Sequence, residues 1–386
     1  MKNKKGIKRM STPEILTDRR NTAIEYMRRS TSFLWRAGED IIYSQKDEHP
    51  DNVEKTLKLL KGRLYLGVPY SYAGGSAEAF IERTLPGADG IPTGSVSWTT
   101  LNGGSAAARL GNDCSGAFAR AWSYAGADIS AVSTLNMCPV NGYLHVGEFS
   151  ASDEYVSAEE VHANPPQTMF EAYALLQPAD GVVKRRPGSG HVRMVTSVGT
   201  VRTDNGEIDP EQSYVTIFEQ TRGNMKRDRS YFDEKLGEDV YVICSNDYKI
   251  TFESLYSEGY MPITNKIFID PSPIPEPAVI DSLTDHSYET IFDGTLTANR
   301  LIDTLTMTIA DTDGNALMSK TVIAARSKAK VCGIAESFSD TADNGAVGNI
   351  DLASLPHADG CEYRCTLVCR ITGGMSFKVR DFMFKA

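Results

Sequence analysis

Cys114 stands where a polar, glycine-flanked turn, Gly111-Asn112-Asp113, runs into a segment with helical apolar spacing. Phe118, Ala121, Trp122 and Ala125 follow an i, i+3, i+4, i+7 pattern, so one face of this helix is expected to be buried. Asn112 or Asp113 can cap its start and Gly126 can end it. A sulfur in the first turn meets unpaired N–H groups and the positive end of the helix dipole, both of which favour a thiolate. Such a nucleophile needs a base, and the base needs a polar group to orient it. The six histidines are His49, His145, His162, His191, His286 and His357. Of these, His191 opens a strand-like run behind Gly188-Ser189-Gly190, small residues that leave its ring accessible and let another segment approach. The orienting group should come from a neighbouring strand, where Glu219 and Gln220 close the run that begins at Tyr214. Side chains alternate across a strand, so only one of the two can point at His191.

The elements that must position these groups read as follows. Ser11 or Thr12 followed by Pro13 and Glu14 starts a helix that keeps an apolar stripe through Ile24 and Met27. Val53, Leu57 and Leu60 predict a second helix over Asp51–Lys61, closed by Gly62. The turn Gly67 to Gly75 presents Tyr70 and Tyr72 among small neighbours. Ser76 to Leu110, rich in Gly, Ala, Ser and Thr, reads as a long loop, and loops of that length are usually functional or mobile. Thr168–Leu176 predicts a short helix. Strands are then expected at Gly181–Lys184, His191–Val198, Tyr214–Gln220 and Asp239–Cys244, all in one sheet, with Asp204-Asn205-Gly206 as a hairpin turn. Pro271, Pro273, Pro275 and Pro277 mark an extended linker. Beyond it, Leu305, Met307 and Ile309, and later Cys361, Tyr363, Cys365, Leu367, Cys369 and Ile371, alternate as strands do.

The bulk composition sets bounds. A chain of 386 residues is expected to form two or three domains. With 41% hydrophobic and 23% charged residues it can build a core, and a net charge of −10 argues against a nucleic-acid partner. Seven cysteines without a CxxC pair do not form a disulfide framework. Cys332, Cys361, Cys365 and Cys369 are expected to pack rather than bind zinc, since one strand does not easily wrap a tetrahedral site. Asp311-Thr312-Asp313-Gly314 lacks the later glutamate of a calcium loop and reads as a turn. No run of 18 apolar residues predicts a membrane span. The basic N-terminus has no apolar stretch behind it, so no signal peptide is expected in this chain.

Three segments together resemble the NlpC-type cell-wall cysteine peptidases: Gly67-Val68-Pro69-Tyr70-x-Tyr72-x-Gly74-Gly75, Asp113-Cys114-Ser115-Gly116, and Leu176-Gln177-Pro178-Ala179-Asp180 leading to Gly190-His191-Val192. The resemblance covers roughly residues 60 to 225. It implies a compact papain-like α+β fold and cleavage of bacterial peptidoglycan stem peptides, typically next to the γ-linked D-glutamate, without metal or cofactor. It implies Cys114 as nucleophile, His191 as general base and then acid, and Glu219 as the third residue, with Gln220 the alternative. Tyr70 and Tyr72 would line the site, and Asp113 and Ser115 would contact substrate, Asp113 through a free amine. The chain departs from the family pattern at Ala73 before the Gly-Gly pair, at Ala179 in place of a glycine, and in a long insert before Asp113.

The expected organisation is therefore α+β. It comprises an N-terminal helical lead-in (1–62), an NlpC-type cysteine peptidase domain (63–267), a Pro-rich linker (268–278) and an immunoglobulin- or fibronectin-like β-sandwich (279–386). The expected partners are peptidoglycan or a peptide, with a wall or glycan ligand for the sandwich, and the expected location is the cell wall or another extracytoplasmic site. Two other activities remain open on the sequence. One is an amidase or acyltransferase of the same fold acting on another small amide or ester; the other is a catalytically silent wall-binding protein.

Overall fold

The computed structural model describes residues 11–43, 57–70, 77–82, 84–94, 111–130, 132–221, 223–224, 227–323, 330–338, 350–355 and 361–385. Helix α1 (Thr12–Thr31) leads into strands β1 (Leu34–Ala37), β2 (Ile41–Tyr43), β3 (Leu57–Leu59) and β4 (Leu64–Leu66). Then come α2 (Ala77–Ile81), β5 (Thr93–Gly94), α3 (Cys114–Tyr124), β6 (Leu144–His145), α4 (Ala158–His162) and α5 (Pro166–Ala174). Strands β7 (Gly181–Arg186), β8 (Ser189–Gly199), β9 (Tyr214–Glu219), β10 (Ser230–Asp233), β11 (Glu238–Val242) and β12 (Ser245–Thr251) precede α6 (Phe252–Glu258) and β13 (Met261–Thr264). The remainder is β14 (Val279–Asp281), β15 (Thr295–Ala298), β16 (Ile302–Ala310), β17 (Ala316–Ile323), β18 (Val331–Gly333), α7 (Ile334–Phe338), β19 (Glu362–Ile371) and β20 (Ser376–Lys385). The chain thus combines helices with several sheets, an α+β organisation. Among the described residues no helix is long and apolar enough to cross a membrane.

The sheet that matters for chemistry runs β12-β9-β8-β7-β13-β6, with every neighbour antiparallel. Helix α3 lies on it so closely that a Cβ at Gly181 would collide with the Phe118 ring. Helix α1 packs against α3, with Tyr26 and Tyr124 ring centroids 5.5 Å apart. One core joins the three layers through Met27, Phe118, Trp122, Val182, Met194 and Ile217. Arg20 ties α1 to the turn before β7 by donating to Asp180 (2.8 Å) and to the Pro178 carbonyl (2.7 Å). In that turn Ala179 holds φ at 73°, the left-handed region where glycine is at home, and its carbonyl accepts from Trp122 Nε1 at 2.7 Å.

Helix α3 differs from the one-faced helix its spacing predicts. Every residue from Cys114 to Ser123 is buried, and the helix meets solvent only at Tyr124. The reason is the C-terminal part of the chain. The Leu301 N–H donates to Ser123 Oγ at 3.0 Å, and Arg120 pairs with Asp303 at 3.0 Å, both side chains almost fully enclosed.

A second sheet, β10-β11-β4-β1-β5, gathers segments far apart in sequence around Trp35, Leu64, Tyr65 and Val240. Together with the separate two-stranded sheet of β2 and β3, it corrects three expectations. The segment predicted as a helix over Asp51–Lys61 is, where described, strand β3 paired with β2, followed by the turn at Gly62 (φ 83°); 51–56 lie outside the described residues. Pairing across β2 outweighs the local helical spacing. Asp239–Cys244 does not join the sheet of His191. Its strand β11 pairs with β10 and, in parallel, with β4. The lead-in is not wholly helical, because β1 pairs with β4 across the expected boundary at residue 62.

Within the predicted Ser76–Leu110 loop the described residues form α2 and β5, with β5 parallel to β1; residues 76, 83 and 95–110 lie outside them. The Asp204-Asn205-Gly206 turn is present, with Gly206 at φ 83°, but sits inside a longer connection from β8 to β9 bridged at Arg202 and Ile208.

The Pro-rich segment is extended but not free. Arg19 of α1 donates to the carbonyls of Ile267 (2.9 Å), Asp270 (2.6 Å) and Ser272 (2.6 Å). Past it, a three-stranded sheet β14-β15-β18 and a four-stranded sheet β17-β16-β19-β20 share one core of Leu296, Leu305, Met307, Cys332, Leu367 and Cys369. Asp311–Gly314 is the turn between β16 and β17, with Gly314 at φ 87°. Cys332, Cys365 and Cys369 are buried there and Cys361 is partly so.

Candidate active site

Cys114 is the first residue of α3, and Asp113 is its N-cap, extended at φ −95° and accepting from the Gly116 N–H at 2.6 Å. No hydrogen bond to the Cys114 N–H is found among the described residues, which leaves that donor pointing out of the helix start beside the sulfur. Tyr70, joined to Asn112 by a backbone bridge, places its hydroxyl 3.9 Å from Cys114 Sγ.

His191 lies near the start of β8 with Lys184 opposite it on β7, and its imidazole is near enough to Cys114 for the two to act on each other electrostatically. Gly190 before it is required, since a Cβ there would collide with the Thr134 side chain. On the other side of the ring, His191 Nε2 lies 2.8 Å from Glu219 Oε1. With Nε2 so engaged, Nδ1 is the nitrogen available to the sulfur. Gln220 faces elsewhere. Its amide donates to the Val68 carbonyl (3.1 Å) and accepts from Cys244 Sγ (2.8 Å), so the choice between the two strand-end residues falls on Glu219.

Arg193, two residues beyond His191 and so on the same strand face, donates from Nε to the same Glu219 oxygen at 2.7 Å. Its guanidinium carbon lies 4.6 Å from the centroid of the buried Tyr260 ring. Period 2 along β8 is the one sequence signal that sets this arginine beside the histidine.

The charges reinforce one another. Burial alone would lower the His191 pKa, but the Cys114 and Glu219 charges and hydrogen bonds outweigh it and push it up to about 9. Burial alone would raise the Glu219 pKa, yet His191 and Arg193 bring it down to about 2. A raised histidine contributes stability that is complete below its ordinary 6.5 and lost as pH rises through about 9. The depressed glutamate contributes stability present above its ordinary 4.5 and lost as pH falls through about 2. The linkage predicts that His191→Ala removes ~2–3 kcal/mol of alkaline stability loss from the wild-type profile, measured by denaturant unfolding at a series of pH values. A wild-type profile flat between those limits would contradict it.

Not every expected site residue is presented to a ligand. Asp113 and Ser115 are both fully enclosed, and the Ser115 hydroxyl donates to Asp113 at 3.3 Å. In the structure these contacts serve the helix start. Tyr72 lies outside the described residues. A cleft of about 410 Å³ opens on the Glu219 side of the ring, lined by Lys184, His191, Arg193, Glu219, Glu258 and Tyr260 among others. Cys114 does not line it and is 5% exposed. Among the described residues, no group of three or more His, Cys, Asp or Glu is placed to hold a metal. Compared with protein-family models, curated proteins and solved structures, the chain matches none of them.

Proposed function

We propose that the chain is a cysteine peptidase of the NlpC type that hydrolyses amide bonds in bacterial peptidoglycan stem peptides. The observation that carries this reading is the set Cys114–His191–Glu219: a thiol at a helix start, electrostatically coupled to an imidazole whose Nε2 lies 2.8 Å from a carboxylate. The order of its motifs along the chain supports the family. The antiparallel sheet under α3 supports a papain-like core, and the paired three- and four-stranded sheets support a C-terminal sandwich. In this reading 63–267 form the peptidase domain, 268–278 the linker and 279–386 a module that holds wall or glycan material, and the protein works outside the cytoplasm.

In the reaction the Cys114 sulfur, its proton resting on His191, attacks the scissile carbonyl. The carbonyl oxygen takes up negative charge and accepts from the Cys114 N–H. His191 gives its proton to the leaving amine, the C–N bond breaks, and a thioester remains on Cys114. Water then enters; His191 takes a proton from it as its oxygen bonds to the thioester carbon, the C–S bond breaks to return the thiolate, and the acid product leaves. Glu219 holds the ring and stabilises its charged form throughout.

The test is digestion of purified peptidoglycan followed by mass spectrometry of the soluble products, with iodoacetamide-treated protein as control. Peptides ending at the glutamyl bond, released only by the untreated protein, are expected. Free stem peptides cut at the sugar would assign an amidase instead, and no thiol-dependent product would leave a wall-binding protein.

A further inference from the structure

We propose that Arg193 is a positioning residue of this site, one that tempers the grip of Glu219 on His191 so that the imidazolium can still give up its proton. The inference rests on the cysteine–histidine chemistry proposed above and concerns what that chemistry needs from its second carboxylate contact. An unshared buried carboxylate against Nε2 would stabilise the imidazolium strongly. That suits thiolate formation but makes a poor acid for the leaving amine, because a general acid works best with a pKa near the working pH.

Arg193 answers that conflict by geometry. Its Nε and the His191 Nε2 lie 2.7 and 2.8 Å from the same Oε1 of Glu219, so one oxygen serves two donors and its charge is divided between them. The guanidinium is held for this purpose. Its side chain is 12% exposed, its plane rests by Tyr260, and its Nη1 is buried with no hydrogen-bond partner among the described residues. Among the described residues no second carboxylate hydrogen-bonds it. Glu258 on α6, which also acts on Arg193 electrostatically, is engaged by Lys184. The other groups around the imidazole are Cys114 and Tyr70 on the sulfur side, Lys184 on β7, and Ser245 on β12, whose hydroxyl is 3.5 Å from Glu219 Oε2. Arg227 and Lys249 line the outer cleft. A fixed cation in this place also keeps Glu219 ionised, so the carboxylate never competes with the histidine for a proton.

The experiment reads the thiol directly and needs no substrate. The full-length protein is alkylated with iodoacetamide across the pH range, and modification of the Cys114 peptide is followed by mass spectrometry to separate it from the other cysteines. The wild type should show two steps, a lower one as the thiolate–imidazolium pair forms and an upper one near pH 9 as the imidazolium deprotonates. A single rise near the ordinary thiol value of ~8.5 would mean that no such pair exists, and the proposed function itself would fall. Given the two steps, Arg193→Met should move the upper one upward by about one unit, the size expected on removing a close charge. Arg193→Lys, which keeps the charge, should leave it near the wild-type position. An upper step in Arg193→Met that stays in place or moves down would overturn the inference. Should the methionine variant melt far below the wild type, Arg193→Gln, polar and neutral, carries the same expectation.

Discussion

Cys114→Ala should reduce peptide release from peptidoglycan by at least ~10⁴-fold, the loss seen when a nucleophile that acts as part of a unit is removed. Without the sulfur no thioester forms. The helix-start N–H and the ordered histidine can then contribute only to whatever slow attack water makes by itself. The substitution removes one atom from a small site next to the Asp113 cap, so the variant should melt within a few degrees of the wild type. Loss of activity in a folded protein is thus the expected result, measured as new amino groups per unit time. Cys138 gives the matching control. It is buried, burial pushes its thiol pKa up, and Asn141 hydrogen-bonds it away from the site. Cys138→Ala should therefore leave the rate within about two-fold, since a stable surrounding core tolerates loss of a small side chain. A Cys114→Ala protein that still released peptides at a sizeable fraction of the wild-type rate would remove the nucleophile from the mechanism.

The second large effect is on stability. Asp303→Ala should destabilise the protein by ~3–5 kcal/mol, the usual consequence of stranding one member of a buried ion pair. Arg120 on α3 and Asp303 on β16 are 1% and 0% exposed and meet at 3.0 Å. Burial and the Glu78 carboxylate push the Asp303 pKa up while Arg120 pulls it down. Burial wins and raises the Asp303 pKa to about 7, so the guanidinium, which keeps its proton, is balanced by the ionised carboxylate above that pH. Thr372 donates to the same Asp303 oxygen at 3.4 Å, so the contact spans α3, β16 and the turn after β19. Removing both charges together, with Arg120→Met and Asp303→Leu, should recover most of the loss, because well-packed apolar groups replace buried pairs with little penalty. Thermal and denaturant unfolding of the three variants checks this. A single Asp303→Ala variant as stable as the wild type would show that the pair contributes nothing.

The residues of the site were legible because their signals are local. A capped helix start marks Cys114, and a glycine-led strand marks His191. Alternation along β9 reduces the third position to two residues; in the structure Gln220 bonds to Val68 and Cys244, and Glu219 is the one that faces the ring. What escaped the sequence depends on partners distant along the chain. Leu57 and Leu60 fit a helix until β2 supplies a pairing edge. The sheet of β10, β11, β4, β1 and β5 draws on segments nearly 200 residues apart, which no window of the sequence can join. Asp303 sits amid apolar strand residues, and nothing local says that its charge turns inward to meet Arg120. The resemblance implies Asp113 and Ser115 as substrate contacts, while in the structure they also bond to one another and to the helix start, a role that the cap position makes legible.

The hold of Arg19 on the carbonyls of Ile267, Asp270 and Ser272 has a mechanical meaning. A proline-rich tether would ordinarily let its passenger wander over a sphere of positions. Here the first helix straps the tether down at its root, and the Arg120–Asp303 clasp fastens the passenger beyond it. A ligand on the C-terminal sheets would therefore be held at a set distance and bearing from the Cys114 sulfur. Under the proposed function, on a polymer with a regular repeat, an arm of fixed reach would act as a ruler. It would select cutting sites by their spacing from the point of attachment, not by how often a loose arm happens to find them.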